Sequence, residues 1–404
     1  MLKRSRQGQL PSINAKVARN INRAIVLNLI RERQPVSRSS ISGLTGLNKS
    51  TVSHIVTNLL EEDLIVEELD LNREIGRTPY RLRVRTGKHF VGAIHFDSIR
   101  SQIAIVDIDG AIRNRLEVDT ERGNPDGTVR RCVGELESLR TRLSLPEFRG
   151  VGTTVSGIVD SHRARVILSP ALGWRDFDLG SSVRNLLPTV QTIQAESDAR
   201  AAALAELLFG DHVAGIRNLV FLSVGFGIGA GIVLDSRILS GASHAAGDFG
   251  HLTMVEDGEQ CSCGNRGCWE LYASDRATVS RYAAARQLTG DQSSQVTMQD
   301  VVSAARSGDA VARQELQRAG RYIGRGIANI ILTFDPEMII VGGIAAQAWD
   351  TVYPEIADAV KSRGFFGKEP ATAIVPTSLS ENPPLVGAAA LSIWRIFTDH
   401  GNGA

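Results

Sequence analysis

Apolar residues recur with helical spacing along the first sixty positions. The repeat begins near Ile21 and runs to about Arg33, and Pro35 closes it because proline lacks an N–H and crowds the preceding turn. Ser37 stands where an N-cap is expected, ahead of a short second helix carrying Ile41 and Leu44. Gly46 then supplies a tight turn, and Asn48 can cap a third helix. In that third helix Val52, Ile55, Val56, Leu59 and Leu60 fall at i, i+3, i+4, i+7 and i+8, one continuous apolar stripe. Its opposite face carries Lys49, Ser50, Thr51, Ser53, His54 and Thr57, short hydrogen-bonding side chains among which only Lys49 is a fixed charge. A solvated helix would instead be laced with charges.

The spacing then changes from helical to alternating. Leu64–Leu69 and Tyr80–Arg85 read as two strands, the second setting Tyr80, Leu82 and Val84 against Arg81, Arg83 and Arg85. A turn-rich loop between them holds Arg77, flanked by Gly76 and Thr78-Pro79. Three helices and a hairpin in this order predict a winged helix–turn–helix. Its third helix would lie in a major groove, with Asn48, Lys49, Ser50, Thr51, Ser53, His54 and Thr57 toward DNA and Arg77 reaching a minor groove.

From His89 onward strands dominate. Phe90–Phe96, Ser101–Asp107 and Ile112–Val118 are short apolar runs, with Asp109-Gly110 as a hairpin signal. A helix near 126–142, a strand at Val151–Val155, a strand at Val190–Ala195 and a helix at Ala199–Leu208 follow. A second series has strands at Leu219–Val224, Gly231–Leu234 and Met338–Val341, with helices near 275–287, 298–305 and 310–333. Strands followed by helices, twice over, predict two α/β lobes with a cleft between them.

Charge sharpens this division. Residues 1–85 hold 15 Lys+Arg against 8 Asp+Glu, while the whole 404-residue chain has a net charge of only +1. A basic head on an acidic body points to an anionic partner for the head, nucleic acid first. No run approaches the ~18 apolar residues of a membrane span, and the basic start at Lys3, Arg4 and Arg6 lacks an apolar signal core, so a soluble cytoplasmic protein with no membrane partner is expected.

Three of the 4 cysteines crowd into Cys261-Ser262-Cys263-Gly264-Asn265-Arg266-Gly267-Cys268, with His251 upstream. Three thiols and an imidazole are the ligands a closed tetrahedral zinc site requires, and Gly264 and Gly267 let the loop fold back. The alternative is a set of buried free thiols, the reading that suits the isolated Cys132.

Head and body together resemble the ROK family of sugar kinases and repressors. The resemblance rests on Ala246-Gly247-Asp248-Phe249-Gly250-His251 with the cysteine loop and Trp269-Glu270. It is supported by Gly157-Ile158-Val159-Asp160, Gly173-Trp174, Ser197-Asp198-Ala199-Arg200-Ala201-Ala202-Ala203, the glycine run Gly225–Gly231 and Gly342-Gly343. It implies a two-lobed actin-like (ribonuclease H-like) body behind the winged head. Residues 1–87 would be the DNA-binding domain and 88–197 the first lobe, completed by a C-terminal helix at about 385–398; 198–384 would form the second lobe with one structural Zn²⁺ on His251, Cys261, Cys263 and Cys268.

By the same resemblance Gly157, Ser197, Asp198, Asp248, His251 and Glu270 line a sugar site. Asp198 stands where the kinases have their general base, but Ser197 replaces the family's Asn, Asp248 a Glu, and Ser156 the Pro before Gly157. The family's glycine-bearing DxGGT phosphate turn reads Asp97-Ser98-Ile99-Arg100-Ser101 here, which would cost the kinase reaction and leave Asp198 a vestige. The function expected is a homo-oligomeric (dimer or dimer of dimers) repressor of carbohydrate genes that binds double-stranded operator DNA and senses a sugar or sugar phosphate. The alternatives are a working sugar kinase with a fused head and a regulator controlled by protein contacts alone.

Overall fold

The computed structural model describes residues 15–69, 80–213, 215–363, 370–379 and 382–398. The chain opens with α1 (Ala15–Arg33), α2 (Arg38–Thr45) and α3 (Lys49–Glu61), then β1 (Ile65–Leu69) paired antiparallel with β2 (Tyr80–Val84). The caps are those the sequence implies: Ser37 accepts from the Ser40 N–H, Gly46 ends α2 in the left-handed conformation, and Asn48 accepts from the Thr51 N–H. The stripe of α3 is buried at Val52, Ile55, Val56 and Leu59. In β2 Leu82 and Val84 point inward, but Tyr80, at the open end of the pair, is exposed.

The first lobe comprises β3 (Phe90–Phe96), β4 (Arg100–Asp107), β5 (Ile112–Asp119), α4 (Pro125–Arg142), β6 (Gly150–Val155), β7 (Ile158–Asp160), β8 (Arg165–Ser169), β9 (Trp174–Phe177), α5 (Leu179–Leu186) and β10 (Ile193–Ser197). Then come α6 (Asp198–Phe209) and the second lobe: β11 (Leu219–Val224), β12 (Ile228–Leu234), β13 (Arg237–Ile238), α7 (Glu270–Ala273), α8 (Asp275–Ala285), α9 (Asp291–Gln295), α10 (Met298–Arg306), α11 (Ala310–Phe334), β14 (Met338–Gly342), α12 (Trp349–Lys361) and β15 (Ala373–Pro376). The last element is α13 (Pro383–Thr398).

The two large sheets share one design. The first runs β10-β6-β3-β4-β5 and the second β13-β12-β11-β14-β15, each combining an antiparallel trio with a parallel pair. A small antiparallel sheet, β7-β8-β9, hangs from the first lobe beyond the end of β6. The chain then returns, and α13 packs on β3, β6 and α6. Helix α6 also touches β11 and β12, so it lies between the two sheets.

Several elements leave no trace in the hydrophobic pattern. Strands β7 to β9 have three to five residues, too few for alternation to stand out. Pro354 lies inside α12 and masks its periodicity. Cys132 is fully buried in the first-lobe core, and burial pushes its thiol up to about 12, so it is an inert core residue.

The head is not a bead on a string. One apolar cluster contains Val26, Leu27 and Ile30 of α1, Leu59 of α3, Ala104 and Val106 of β4, and Leu385, Ala389, Ile393 and Phe397 of α13. The basic strand is also used internally: Arg83 pairs with Glu68 at 3.0 Å and Arg85 with Asp63 at 2.6 Å. Leu27→Ala is therefore expected to cost about 2–5 kcal/mol and to lower the melting of head and first lobe together. Calorimetry showing an early, separate head transition over an unaltered body would contradict a shared core.

Candidate functional site

The cysteine loop is folded back on itself by local pairing, with Thr253 bridging Cys268 and Gln260 bridging Arg266. Gly264 and Gly267 turn it with φ of +98° and +66°, backbone that favours glycine. The donor atoms of His251, Cys261, Cys263 and Cys268 lie within 4.8 Å of one another. His251 Nδ1 is 3.7 Å from Cys261 Sγ, and the Cys263 and Cys268 sulfurs are 3.6 Å apart as free thiols. A tetrahedral zinc with Zn–S of ~2.3 Å and Zn–N of ~2.0 Å sets its donors roughly 3.5–3.8 Å apart. The cluster can hold a metal ion, and soft thiolates with an imidazole suit zinc rather than an oxygen-seeking cation.

The same loop carries polar groups toward the cleft. His251 turns its other ring nitrogen, Nε2, toward Asp248 Oδ1 at 3.9 Å. Glu270 opens α7, and its Oε1 lies 3.8 Å from His251 Nδ1 and 3.9 Å from Arg276 Nη2. Asp248, His251 and Glu270 are thus brought together, as the resemblance implies. Gly157 follows β6, and Ser197, at the end of the neighbouring β10, pairs with Val155 of β6 and leads directly into Asp198. Gly157 holds φ of +150°, and a side chain there would collide with the Leu168 carbonyl. Ser197 caps α6 without using its hydroxyl, so the oxygen is unspent on the helix.

In β12 the Ala230 N–H donates to the Gly247 carbonyl at 2.7 Å while Gly229 faces Ala199. Asp198 loses much of its hydration, and this pushes its carboxyl up to about 6 against the lowering effect of the Ala199 N–H and the Ser156 hydroxyl.

Sequence reasoning missed the group that ties these walls together. Arg200 is buried at 1% exposure; it bonds Glu196 at 2.7 Å, the Val159 carbonyl at 3.0 Å and the His244 carbonyl at 2.7 Å. A lone arginine in an alanine helix, four residues after Glu196, was the available signal.

The two phosphate-loop positions differ. In the β3–β4 turn the Asp97 carboxylate accepts the Ile99 N–H at 3.2 Å, and the Ile99 side chain stands 76% exposed. A backbone donor that phosphate would need is already taken. The glycine run forms the β11–β12 hairpin, closed by Gly225 N–H to the Gly227 carbonyl at 3.0 Å. Beside it the Asp275 N–H donates to Gly225 O at 2.8 Å, while Asp275 Oδ1 is buried without a partner and desolvation pushes its carboxyl up to about 7.

On the head, Lys49, Ser50, His54 and Thr57 are exposed along α3, with Thr51 and Ser53 half-buried beside them. The Asn48 oxygen is spent on the Thr51 N–H at 2.7 Å and the Ser50 hydroxyl at 2.8 Å, leaving its amide N–H groups outward. Arg77, expected in the wing, lies outside the described residues.

The ROK family pattern matches residues 92–394, and the chain belongs to the ROK family. It is 29% identical over 390 residues to the xylose repressor of Bacillus spizizenii, covering 93% of this chain and 95% of that one. A glucokinase of Streptomyces coelicolor is 33% identical over 303 residues, covering 71% of this chain and 92% of the kinase. Among solved structures, a ROK transcriptional regulator homologous to Escherichia coli Mlc superposes with a TM-score of 0.80 at 26% identity, covering 94% of this chain and 98% of that one. The body accordingly has the ROK actin-like sugar-kinase fold. The kinase leaves more than a quarter of this chain without a counterpart, whereas the two regulators extend over nearly all of it.

Two outcomes follow from the site. Cys263→Ser, at the exposed ligand position, is expected to abolish retention of about one metal ion per chain; full occupancy by elemental analysis would refute the four-donor arrangement. Because the folded Asp198 carboxyl titrates near 6, above its unfolded value, ionising it opposes folding between about pH 4 and 6 and at every higher pH. Asp198→Asn should therefore raise the melting temperature above pH 7 and leave it unchanged near pH 4; the opposite pH order would show that Asp198 is held as a stabilised carboxylate.

Proposed function

We propose that the chain is a DNA-binding transcriptional repressor of carbohydrate genes whose ROK body senses a sugar or sugar phosphate and no longer transfers phosphate. The carrying observation is the polar, nearly uncharged outer face of α3. That helix is mounted on a three-helix unit with a following strand pair, and the unit is welded to a sugar-kinase body. A winged helix–turn–helix needs this face, because short donors and acceptors at the start of the recognition helix read base edges while the opposite stripe holds the core. Lys49 supplies a phosphate contact, and Asn48, Ser50, Thr51, Ser53, His54 and Thr57 the hydrogen-bonding surface; Arg77 is assigned to the wing. The repressor names of the relatives that span the head favour the same reading.

The sensing site comprises Gly157, Ser197, Asp198, Asp248, His251 and Glu270. Alternating donors and acceptors suit a polyol, and the shorter Asp248 and the Ser197 hydroxyl change the reach of two positions. Zn²⁺ on His251, Cys261, Cys263 and Cys268 would be structural, with no open coordination position. It would fix the loop that presents Asp248 and orient the His251 ring, whose Nε2 lies toward Asp248. Against catalysis stand two turns already closed on themselves, the first by Asp97 and the second by the Gly225 N–H bonded to the Gly227 carbonyl. Phosphoryl transfer depends on positioned positive and N–H groups at both places.

Paired heads on a homodimer or dimer of dimers would match two operator half-sites. Duplexes selected by the full chain from a random pool should bind it in an anisotropy titration, and Lys49→Ala should weaken binding and flatten the log–log salt slope by ~0.9. No enrichment from the pool, together with sugar phosphorylation that Asp198→Asn abolishes, would replace this reading with that of a kinase carrying an accessory head.

A further inference from the structure

Helix α6 joins two places that the sheets otherwise keep apart. Its first turn holds Asp198 and Arg200, and Arg200 is bonded to Val159 of β7 on one side and to His244, in the loop before Asp248, on the other. Its last turn is held by the head. The final four carbonyls of a helix lack intrahelical donors. Gly210 N–H takes one of them, that of Glu206, at 2.8 Å. The Leu208 carbonyl instead receives Nη1 of Arg31, which comes from α1.

That guanidinium meets the negative end of the helix dipole. It also lies 5.5 Å from the ring centroid of the next residue, Phe209. Phe209 in turn covers Gly110 in the β4–β5 turn. Between its ends α6 has no free side: Ala201, Ala202, Ala203 and Ala205 are all at 0% exposure between α13 and the second sheet. Twelve residues at 1.5 Å each make a rod about 18 Å long, and so closely packed an element shifts as a body rather than bending.

We propose that α6 is the mechanical link between the sugar cleft and the head, and that Arg31 is the positioning residue through which α1 follows it. A sugar that draws the two walls together moves the first turn through Arg200, and Arg31 carries the displacement into α1 and so to α3. This rests on the reading of the cleft as sensor and of α3 as DNA-reading surface. The rival route is the apolar seam of Val26, Leu27 and Ile30 against α13, which would transmit the same motion without Arg31.

The test uses the full chain with Arg31→Met, which keeps the bulk of the stem, and Arg31→Lys, which keeps one donor without the fork. Hydrogen exchange is measured first, with no sugar added. Arg31→Met is expected to loosen amides at both ends of α6, residues 197–201 as well as 206–210, and Arg200→Met to loosen α1. Changes confined to the neighbourhood of each substitution would overturn the link.

DNA affinity is measured next on a pool-selected duplex, with and without D-xylose and D-glucose. Coupled sites typically differ about 5- to 150-fold between the two conditions, and Arg31→Met should reduce the ratio below about twofold while the DNA affinity without sugar stays within about threefold of the parent. Arg31→Lys should fall between. A parent-like ratio in Arg31→Met overturns the link in favour of the α13 seam. If neither sugar alters DNA affinity in the parent chain, the sensor reading fails for these sugars, and the exchange result still decides whether α6 transmits.

Discussion

The body depends on one buried helix. Helix α6 can pass between two sheets only because its inward positions are alanine, which let backbone approach backbone without a cavity or a clash. The one large polar side chain in its first two turns, Arg200, would be prohibitively costly there unless every part of its guanidinium found a partner. Glu196 neutralises its charge and two carbonyls take the remaining N–H groups, one from each wall of the cleft. The arginine therefore converts a desolvation cost into a geometric demand: β7 and the loop before Asp248 must stay in register with the start of α6.

That demand explains which parts of the molecule were legible in the sequence. Local signals were read correctly where a residue's role is fixed within one turn of chain. Ser37, Gly46 and Asn48 cap helices by their own chemistry, the α3 stripe is a matter of spacing, and the cysteine loop gathers its four donor atoms through glycine position. Tertiary roles were not legible. Nothing near Arg31 in the chain indicates that it closes a helix 177 residues away, and nothing in Leu27 or Phe397 says that head and C-terminus share a core. Asp275 looks like an ordinary acidic residue in the first turn of a helix, a favourable position by itself. Only the fold places it beside a glycine hairpin, with one oxygen buried and unpartnered.

The phosphate-turn positions show which features of a kinase fold are required by folding itself. Sheet order and the glycine hairpin serve folding as much as chemistry. Gly231 admits the backbone of α6, and a side chain there would collide with the Ala199 carbonyl, so its retention says little about nucleotide. The β3–β4 turn has no such duty. With Asp97 closing it onto its own backbone, the turn folds without an anion and needs no glycine.

The cleft is constrained from both sides, and this limits how a ligand can act on it. The cysteine loop carries His251 close to Asp248 and Glu270, and Arg200 ties the start of α6 to β7 and to the loop before Asp248. Arg200 leaves the backbone of both sides little freedom, because its guanidinium is bonded to Glu196 and to the Val159 and His244 carbonyls. Under the proposed sensing role, a polyol bridging the two sides would move whole elements, and the elements available are those that α6 touches. One of these is the C-terminal helix on which the head is packed. A sensor that gave its ligand more local freedom would bind it as well and signal less, because free energy spent on loop adjustment near the ligand is unavailable to bias a distant equilibrium.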